Sequence, residues 1–231
     1  GPKRDILGEW KRAAAKYGMK FGVSEHLGAS RAWFQSCHGS DGTGPMAGVP
    51  YDGSDPEFQD LYHPVDAAYS HEKKGSWYTG NPEWHAKWFA RIMDLVDSYQ
   101  PDLLYTDGGL PFGDTGRSLV AHFYNSNMER NGGKLEAVYN CKKCDAGEYE
   151  DGSCVQDVER GLMPGINPLP WQTDTSIGDW FYNVNYPYQN SSWLVHTLID
   201  IVSKNGNLLI NILQRPDGTL DPEAESLLKE F

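Results

Sequence analysis

The sequence contains no long hydrophobic run and no excess of basic residues. No apolar stretch approaches the roughly 20 residues that a membrane-spanning helix requires, and the first ten residues, GPKRDILGEW, lack the apolar core of a signal peptide. The formal net charge is −12, whereas nucleic-acid affinity comes largely from Lys and Arg. We therefore expect neither a membrane nor a nucleic acid as a partner. Extracellular, periplasmic and lysosomal localisation are all compatible with the sequence.

Cysteine is scarce, and the four residues allow at most two disulfides. Cys141 and Cys144 have the spacing of a zinc-ribbon pair, but a structural zinc site usually needs a second such pair or a nearby His pair. Neither is present beside them. A zinc-dependent hydrolase using Cys141, Cys144 and Cys154 is therefore disfavoured. The sequence leaves open whether these thiols are free or form a disulfide.

The order of hydrophobic and polar segments predicts an α/β fold with parallel strands. Strand, long loop and helix alternate along the 231 residues, a length that suits one domain. Apolar periodicity and capping residues predict helices at residues 5–17, 81–99, 117–131 and 193–203. Strands are predicted at residues 19–25, 102–107, 135–140, 171–177 and 207–212. About five strands result, whereas a closed barrel of this type needs eight.

Acidic and polar side chains follow two of these predicted strands. Asp107 ends the second strand and is followed by Gly108 and Gly109, which leave room for a ligand near the backbone; Glu25 and His26 end the first. The carboxyl ends of parallel strands form the catalytic rim of a barrel. The alternative, that Asp107 only caps the next helix, is common after a strand.

Four stretches of the chain resemble one family of enzymes. They are RDILGEWKRAAAKYGMKFGVSEH, QPDLLYTDGG, PWQTDTSIGDWFYN and KNGNLLINILQRPDGTLDPEAESLLKEF, and together they span almost the whole sequence in the family's order. The chain is similar to the retaining α-L-fucosidases of glycoside hydrolase family 29. This resemblance implies a (β/α)8 barrel of the TIM type and no cofactor. The implied partner is a fucosylated glycan or a small fucoside.

The resemblance implies that Asp107, within Tyr105-Thr106-Asp107-Gly108, is the nucleophile of a double displacement. A carboxylate on a rigid strand suits attack at the anomeric carbon of fucose. Side chains near this strand end are expected to contact the sugar: Glu25, His26 and Tyr105, with Trp33 and Trp180 as walls of the site. Tyr105 shares a strand face with Asp107.

The second catalytic carboxylate departs from the pattern of many family members. They have a Glu after the Trp of a Trp-x-x-x-Thr-Ser-Ile segment, where this chain has Gln172, and an amide supplies no acidic proton. Another branch places its acid in a loop of the type Asn-Glu-x-Gly, and Glu159 resembles that arrangement. We expect Glu159 to be the general acid and base. The alternatives are Asp174, Glu148 and Glu150.

The chain also departs from the family in extent. A His-His-Asp-Gly-Phe motif that binds fucose hydroxyls in the family is absent, and so is the family's C-terminal β-sandwich. We expect residues 1–231 to be one incomplete catalytic barrel of about five strand-helix units, which self-associates to cover its exposed sheet edges. The loop at residues 28–80 is expected to set aglycone preference. A non-catalytic fucose-binding remnant is the alternative function.

Overall fold

The computed structural model describes residues 3–39, 41–65 and 77–231. The chain divides into two compact units. The first comprises Gly1–Tyr139 and Cys144–Tyr149, and the second comprises Asn140–Lys143 and Glu150–Phe231.

In its described residues, the first unit contains two complete parallel strands and five helices. In chain order they are α1 (Ile6–Lys16), β1 (Gly22–Glu25), α2 (Leu27–Phe34), α3 (Gln59–Tyr62), α4 (Pro82–Tyr99), β2 (Leu103–Thr106) and α5 (Asp114–Arg130). Three short 3-10 turns lie at Gln35–Cys37, Asp52–Ser54 and Pro56–Phe58. The register of β1 and β2 runs from Gly22↔Leu103 to Glu25↔Thr106, so both strands end at the same level.

Helix α4 supplies much of the apolar core of this unit. The Asn81 side chain accepts hydrogen bonds from the N–H groups of Glu83 (2.9 Å) and Trp84 (3.3 Å), and Pro82 occupies the first helical position. The buried residues recur every fourth position and thus form one stripe: Trp84, Trp88, Ile92 and Val96. Both tryptophans are core residues, since they are 2% and 0% exposed.

The second unit contains parallel strands and two helices in its described residues. Strand β3 (Val138–Lys142) enters it at Asn140, and β4 (Val155–Asp157), β5 (Trp171–Ser176), α6 (Ser191–Ser203), β6 (Gly206–Asn211) and α7 (Pro222–Glu230) follow. Strand β3 pairs with β4, β4 with β5, and β5 with β6, in each case in parallel. Ile177, Leu194, Ala224 and Leu227 form a buried cluster.

The structure confirms the predicted helices and strands but adds elements to them. The described residues contain six strands rather than about five, because the three-residue β4 lies in the cysteine-bearing segment that the sequence presents as a loop. Part of the predicted loop at residues 28–80 is helix α2, and residues 40 and 66–76 of that loop lie outside the described part of the chain. No helix in the described residues is both long and apolar enough to cross a membrane.

A methyl group at Gly206 is expected to destabilise the second unit. A Cβ at Gly206 would lie 2.5 Å from the buried indole of Trp171 and 2.8 Å from Ile201. We expect Gly206→Ala to lower the free energy of unfolding by about 1 to 3 kcal/mol, measured by urea denaturation. Gly165→Ala is the control, since a Cβ there meets nothing within 4 Å. Equal stability of the two variants would contradict the predicted clash.

Candidate active site

The ends of β1 and β2 bring His26 and Asp107 together. The backbone N–H of Asp107 donates to the carbonyl of Glu25 at 3.0 Å, which continues the strand register by one residue. His26 Nε2 then lies 3.4 Å from Asp107 Oδ2, and the two side chains are 30% and 35% exposed. Asp107 does not cap the next helix, because the N-cap of α5 is Gly113. The two side chains are thus partly open to solvent at a strand end.

Two tryptophans flank His26. The imidazole centroid lies 4.3 Å from that of Trp33 and 5.2 Å from that of Trp77, and the two indoles are 5.6 Å apart. Trp33 is 47% exposed and Trp77 37% exposed. Trp33, one of the expected walls of the sugar site, therefore lies beside His26. Trp77 was not expected there, because no periodicity or motif marks it. Exposed indoles are surfaces on which a sugar's apolar face can stack.

The glycines after Asp107 make room for protein groups. Gly108 has φ +128°, and a Cβ there would lie 2.5 Å from Tyr78 Oη. The Tyr78 hydroxyl donates to the Gly109 carbonyl at 2.7 Å, and a Cβ at Gly109 would lie 2.5 Å from the Ala146 carbonyl oxygen. The space expected for a ligand beside these glycines is therefore taken by Tyr78 and by the backbone at Ala146.

The Glu25 carboxylate is buried among donors from the protein. It accepts hydrogen bonds from Leu27 N (2.8 Å), Thr106 Oγ1 (2.8 Å) and Trp88 Nε1 (3.4 Å), and the Tyr139 hydroxyl donates in turn to Thr106 Oγ1 at 2.8 Å. Burial raises the pKa of Glu25, although these hydrogen bonds oppose the shift. Glu25 is 8% exposed, so its carboxylate faces α2, α4 and β2.

Tyr105 also lies inside the first unit. Its side chain is 3% exposed, between the fully buried Leu104 and the buried Thr106. Burial of this kind is typical of a core residue on a short internal strand.

In the second unit, one lysine contacts two carboxylates. Lys142 Nζ, at the end of β3, lies 2.6 Å from Glu159 Oε2 and 3.6 Å from Asp174 Oδ2. The Lys142 and Asp174 side chains are only 11% and 12% exposed, whereas Glu159 is 47% exposed. We call Lys142, Glu159 and Asp174 the Lys142 cluster. Sequence reasoning named both acids but missed Lys142, whose only signal is a charge at a strand end.

The turn that carries Glu159 is held by its neighbour Arg160. Arg160 has a left-handed backbone conformation, with φ +48°, and its N–H donates to the Asp174 carbonyl at 2.8 Å. Its guanidinium donates to the Gly178 carbonyl and lies 4.3 Å from the centroid of the Trp180 ring. One face of Trp180 is thus covered by a cation, and only its other face could serve as a wall for a sugar.

Gln172 belongs to a polar row across three strands, in which Asp157 and Gln172 are buried and Asn207 is exposed. Its Nε2 donates to Asp157 Oδ1 at 2.9 Å, and its Oε1 accepts from Asn207 Nδ2 at 3.4 Å. The three residues are register partners on β4, β5 and β6. A glutamate here would face the Asp157 carboxylate without a donor, whereas the amide supplies one. Gln172 is therefore well matched to its place, and it is 2% exposed.

The other two alternative acids, Glu148 and Glu150, are exposed and also contact other parts of the protein. Glu148 is ion-paired with Arg117, and its backbone exchanges two hydrogen bonds with Leu110. The Glu150 carbonyl accepts from the N–H of Cys154 at 3.0 Å. Among residues 3–39, 41–65 and 77–231, no group of three or more His, Cys, Asp or Glu side chains is arranged to hold a metal ion.

The sequence model of the family described as Alpha-L-fucosidase matches residues 1–231. The chain belongs to the α-L-fucosidase family. The tissue alpha-L-fucosidase of Bos taurus is 26% identical over 235 residues, which cover 96% of this chain and 41% of that protein. The plasma alpha-L-fucosidase of Pongo abelii is 30% identical over 157 residues, which cover 63% of this chain and 32% of that protein. This α-L-fucosidase family member thus spans less than half the length of these relatives.

A solved structure agrees with this assignment. The α-fucosidase of Thermotoga maritima in complex with a mechanism-based inhibitor has a TM-score of 0.65 and 27% identity. The match covers all of this chain and 45% of that chain. The predicted fold class, a TIM-like (β/α) barrel type with parallel strands, is confirmed, and the described residues contain six such strands.

The buried Glu25 predicts a pH-dependent stability. Because its pKa is raised above the ordinary value of 4.5, the folded chain binds this proton more tightly than the unfolded chain does. Wild type should therefore lose free energy of unfolding as the pH rises from about 4.5 through the raised pKa. In Glu25→Gln this loss should be absent.

Urea denaturation between about pH 4.5 and 8 measures the difference between Glu25→Gln and wild type. We expect the free energy of unfolding of Glu25→Gln to increase relative to that of wild type as the pH rises. The variant Glu83→Gln, at an exposed position, should show no such trend. A difference for Glu25→Gln that is constant across this range would contradict the raised pKa.

Proposed function

We propose that this chain acts as a retaining glycoside hydrolase that releases terminal α-L-fucose from fucosylated glycans or small fucosides. Family membership supports the reaction class. Structures of the Thermotoga maritima relative carry a mechanism-based inhibitor and fucose, which supports a fucoside as the ligand. The chain spans only 41% of the Bos taurus relative, so its own turnover is part of the proposal.

The observation that carries the proposal is the position of Asp107. Its carboxylate is fixed by strand β2, is 35% exposed and lies 3.4 Å from His26 Nε2. In a double displacement, the nucleophile must be ionised and held against the anomeric carbon. An imidazole beside the carboxylate can orient it by donating a hydrogen bond from Nε2. Trp33 and Trp77 would then supply the apolar contact to the fucose ring.

We propose supporting roles for two of the expected sugar-binding residues. The Glu25 carboxylate is bonded to Leu27, Thr106 and Trp88, so Glu25 would position His26 instead of contacting fucose. The buried Tyr105 would act through packing beneath Asp107. His26 and Trp33 stay the candidates for direct contact, and Trp180 could contribute the ring face that Arg160 does not cover.

Glu159 is our candidate for the general acid and base. As an acid it would protonate the leaving oxygen while Asp107 attacks, and as a base it would activate the water that hydrolyses the fucosyl ester. The Lys142 cluster suits a group that must exist in both states. Because Lys142 Nζ contacts both Glu159 and Asp174, a proton on Glu159 still leaves the ammonium paired with Asp174.

A non-catalytic fucose-binding protein is the second candidate. It is favoured by Gln172, which is tied to Asp157 and Asn207 at the position where many relatives have an acid. Binding without turnover needs the aromatic residues and His26 but no acid. The predicted self-association applies to both candidates and stays a prediction.

Replacement of Asp107 distinguishes the two candidates. For an enzyme, we expect Asp107→Asn to lower kcat on an aryl α-L-fucoside by roughly 10³-fold or more, while Asp114→Asn, with a 99% exposed side chain, retains activity. Asp107→Gly should regain turnover with added azide, which can attack the anomeric carbon from the vacated side and yield a β-fucosyl azide. A folded wild-type chain that binds fucose without turnover would instead establish the binding function.

The role of Glu159 is tested by the leaving group. A poor leaving group departs only when it is protonated, so Glu159→Gln should lower the rate of its release by about 10²- to 10⁴-fold. An acidic phenol leaves with little help, so its release should fall far less. Asp174→Asn, on the same lysine, is the matched control in steady-state kinetics. The same leaving-group dependence in Asp174→Asn but not in Glu159→Gln would transfer the role to Asp174.

A further inference from the structure

Three cysteines lie close together in sequence, and the structure pairs two of them. The Cys141-Lys-Lys-Cys144 spacing alone suggests a pair of Cys141 and Cys144. In the second unit, however, the Cys141 thiol is hydrogen-bonded to Cys154. Cys141 lies on β3 opposite Gln156, and Asn140 lies opposite Val155. Val155 is the first residue of β4, so Cys154 directly precedes that strand. Cys141 is thus on β3 and Cys154 immediately before the neighbouring strand, and the two residues are 0% and 8% exposed.

We propose that Cys141 and Cys154 form a thiol–disulfide exchange site, which reacts with small disulfides such as oxidised glutathione and closes into a bond linking β3 to the start of β4. This site is independent of the fucosidase activity proposed above. The four cysteines are in the reduced state in this structure, with no disulfide between any two of them.

The surroundings of Cys154 favour its thiolate. Its sulfur accepts hydrogen bonds from Cys141 and from the backbone N–H of Glu150, and these donors lower its pKa to about 7. Burial and the charges of Glu150 and Asp151 oppose the shift. A thiolate, not a thiol, is the attacking group in exchange. Cys154 thus combines a thiolate near neutral pH with a second thiol in contact.

The other two cysteines lack this combination. Burial raises the pKa of Cys37, which keeps that thiol protonated. The exposed Cys144 donates its S–H to the Ala146 carbonyl at 3.5 Å. The structure therefore selects Cys154 over Cys144 as the partner of Cys141, against the pairing that the sequence spacing suggests.

The exchange takes place in two steps. The Cys154 thiolate attacks one sulfur of oxidised glutathione, whose S–S bond breaks and releases one glutathione thiolate. Cys141 then loses its proton and attacks Cys154 Sγ, which expels the second glutathione. Two protein thiols are oxidised and one glutathione disulfide is reduced. Cys154 reacts first because it is the more exposed of the two.

Closure of this bond would constrain the segment between the two cysteines. Residues 142–153 become a loop within a covalent ring, which restricts the unfolded chain. Lys142, the neighbour of Cys141, contacts Glu159 and Asp174, so the bond would also restrain the strand end that carries the Lys142 cluster. We expect oxidation to raise the Tm of the chain by several degrees.

The test is oxidation of the full chain in glutathione buffers, followed by alkylation with N-ethylmaleimide and mass spectrometry. Trypsin leaves Cys144 and Cys154 in one peptide, so variants must assign the bond. We expect a cross-link to residues 135–142 in wild type and in Cys144→Ser but none in Cys154→Ser. Cleavage after Glu148 and Glu150 separates Cys144 from Cys154 and assigns the bond in wild type without any variant.

Two results would overturn the proposal. One is a cross-link between Cys141 and Cys144 in wild type after cleavage at Glu148 and Glu150. The other is full alkylation of both Cys141 and Cys154, measured after unfolding, in a chain equilibrated with excess oxidised glutathione. Neither outcome depends on fucoside turnover, so failure of this proposal leaves the proposed function unaffected.

Discussion

The position of Asp107, the candidate nucleophile, depends on the buried carboxyl group of Glu25, whose hydrogen-bond donors must come from the protein instead of from water. Glu25 has little access to water, so its oxygens take hydrogen bonds from the start of α2, from Thr106 on β2 and from Trp88 on α4. These contacts fix three elements around one side chain, and an unmet bond there would be costly. His26 and Asp107 follow Glu25 and Thr106 directly, so their meeting is a consequence of this arrangement.

Much of the fold could be predicted because its signals are local. The Asn81 cap with Pro82 and the stripe from Trp84 to Val96 each act within a few residues, and the structure contains the expected helix. The position of Asp107 at a strand end was equally readable, since a buried apolar run stops there. The three-residue β4 was missed because it is too short to show alternation.

The site was harder to predict because its contacts join distant parts of the chain. Trp77 lies about 50 residues from His26 and carries no motif, yet its ring is 5.2 Å away. Lys142 is 32 residues from Asp174 and meets it only because β3, β4 and β5 are adjacent. For Gln172 the departure from the family pattern was visible, but its physical reason, a donor for Asp157, needed the register of β4 and β5.

The Lys142 cluster also constrains how this sequence can diverge. One ammonium group contacts two carboxylates that are 2.6 and 3.6 Å away, so loss of the lysine would leave the largely buried Asp174 carboxylate without this cation and near a second negative charge. Loss of Glu159 or Asp174 would change the charge balance around the acid that is left. Positions 142, 159 and 174 are therefore expected to co-vary among homologues. Where one of them carries a neutral residue, a second should also be changed so that the charges stay balanced.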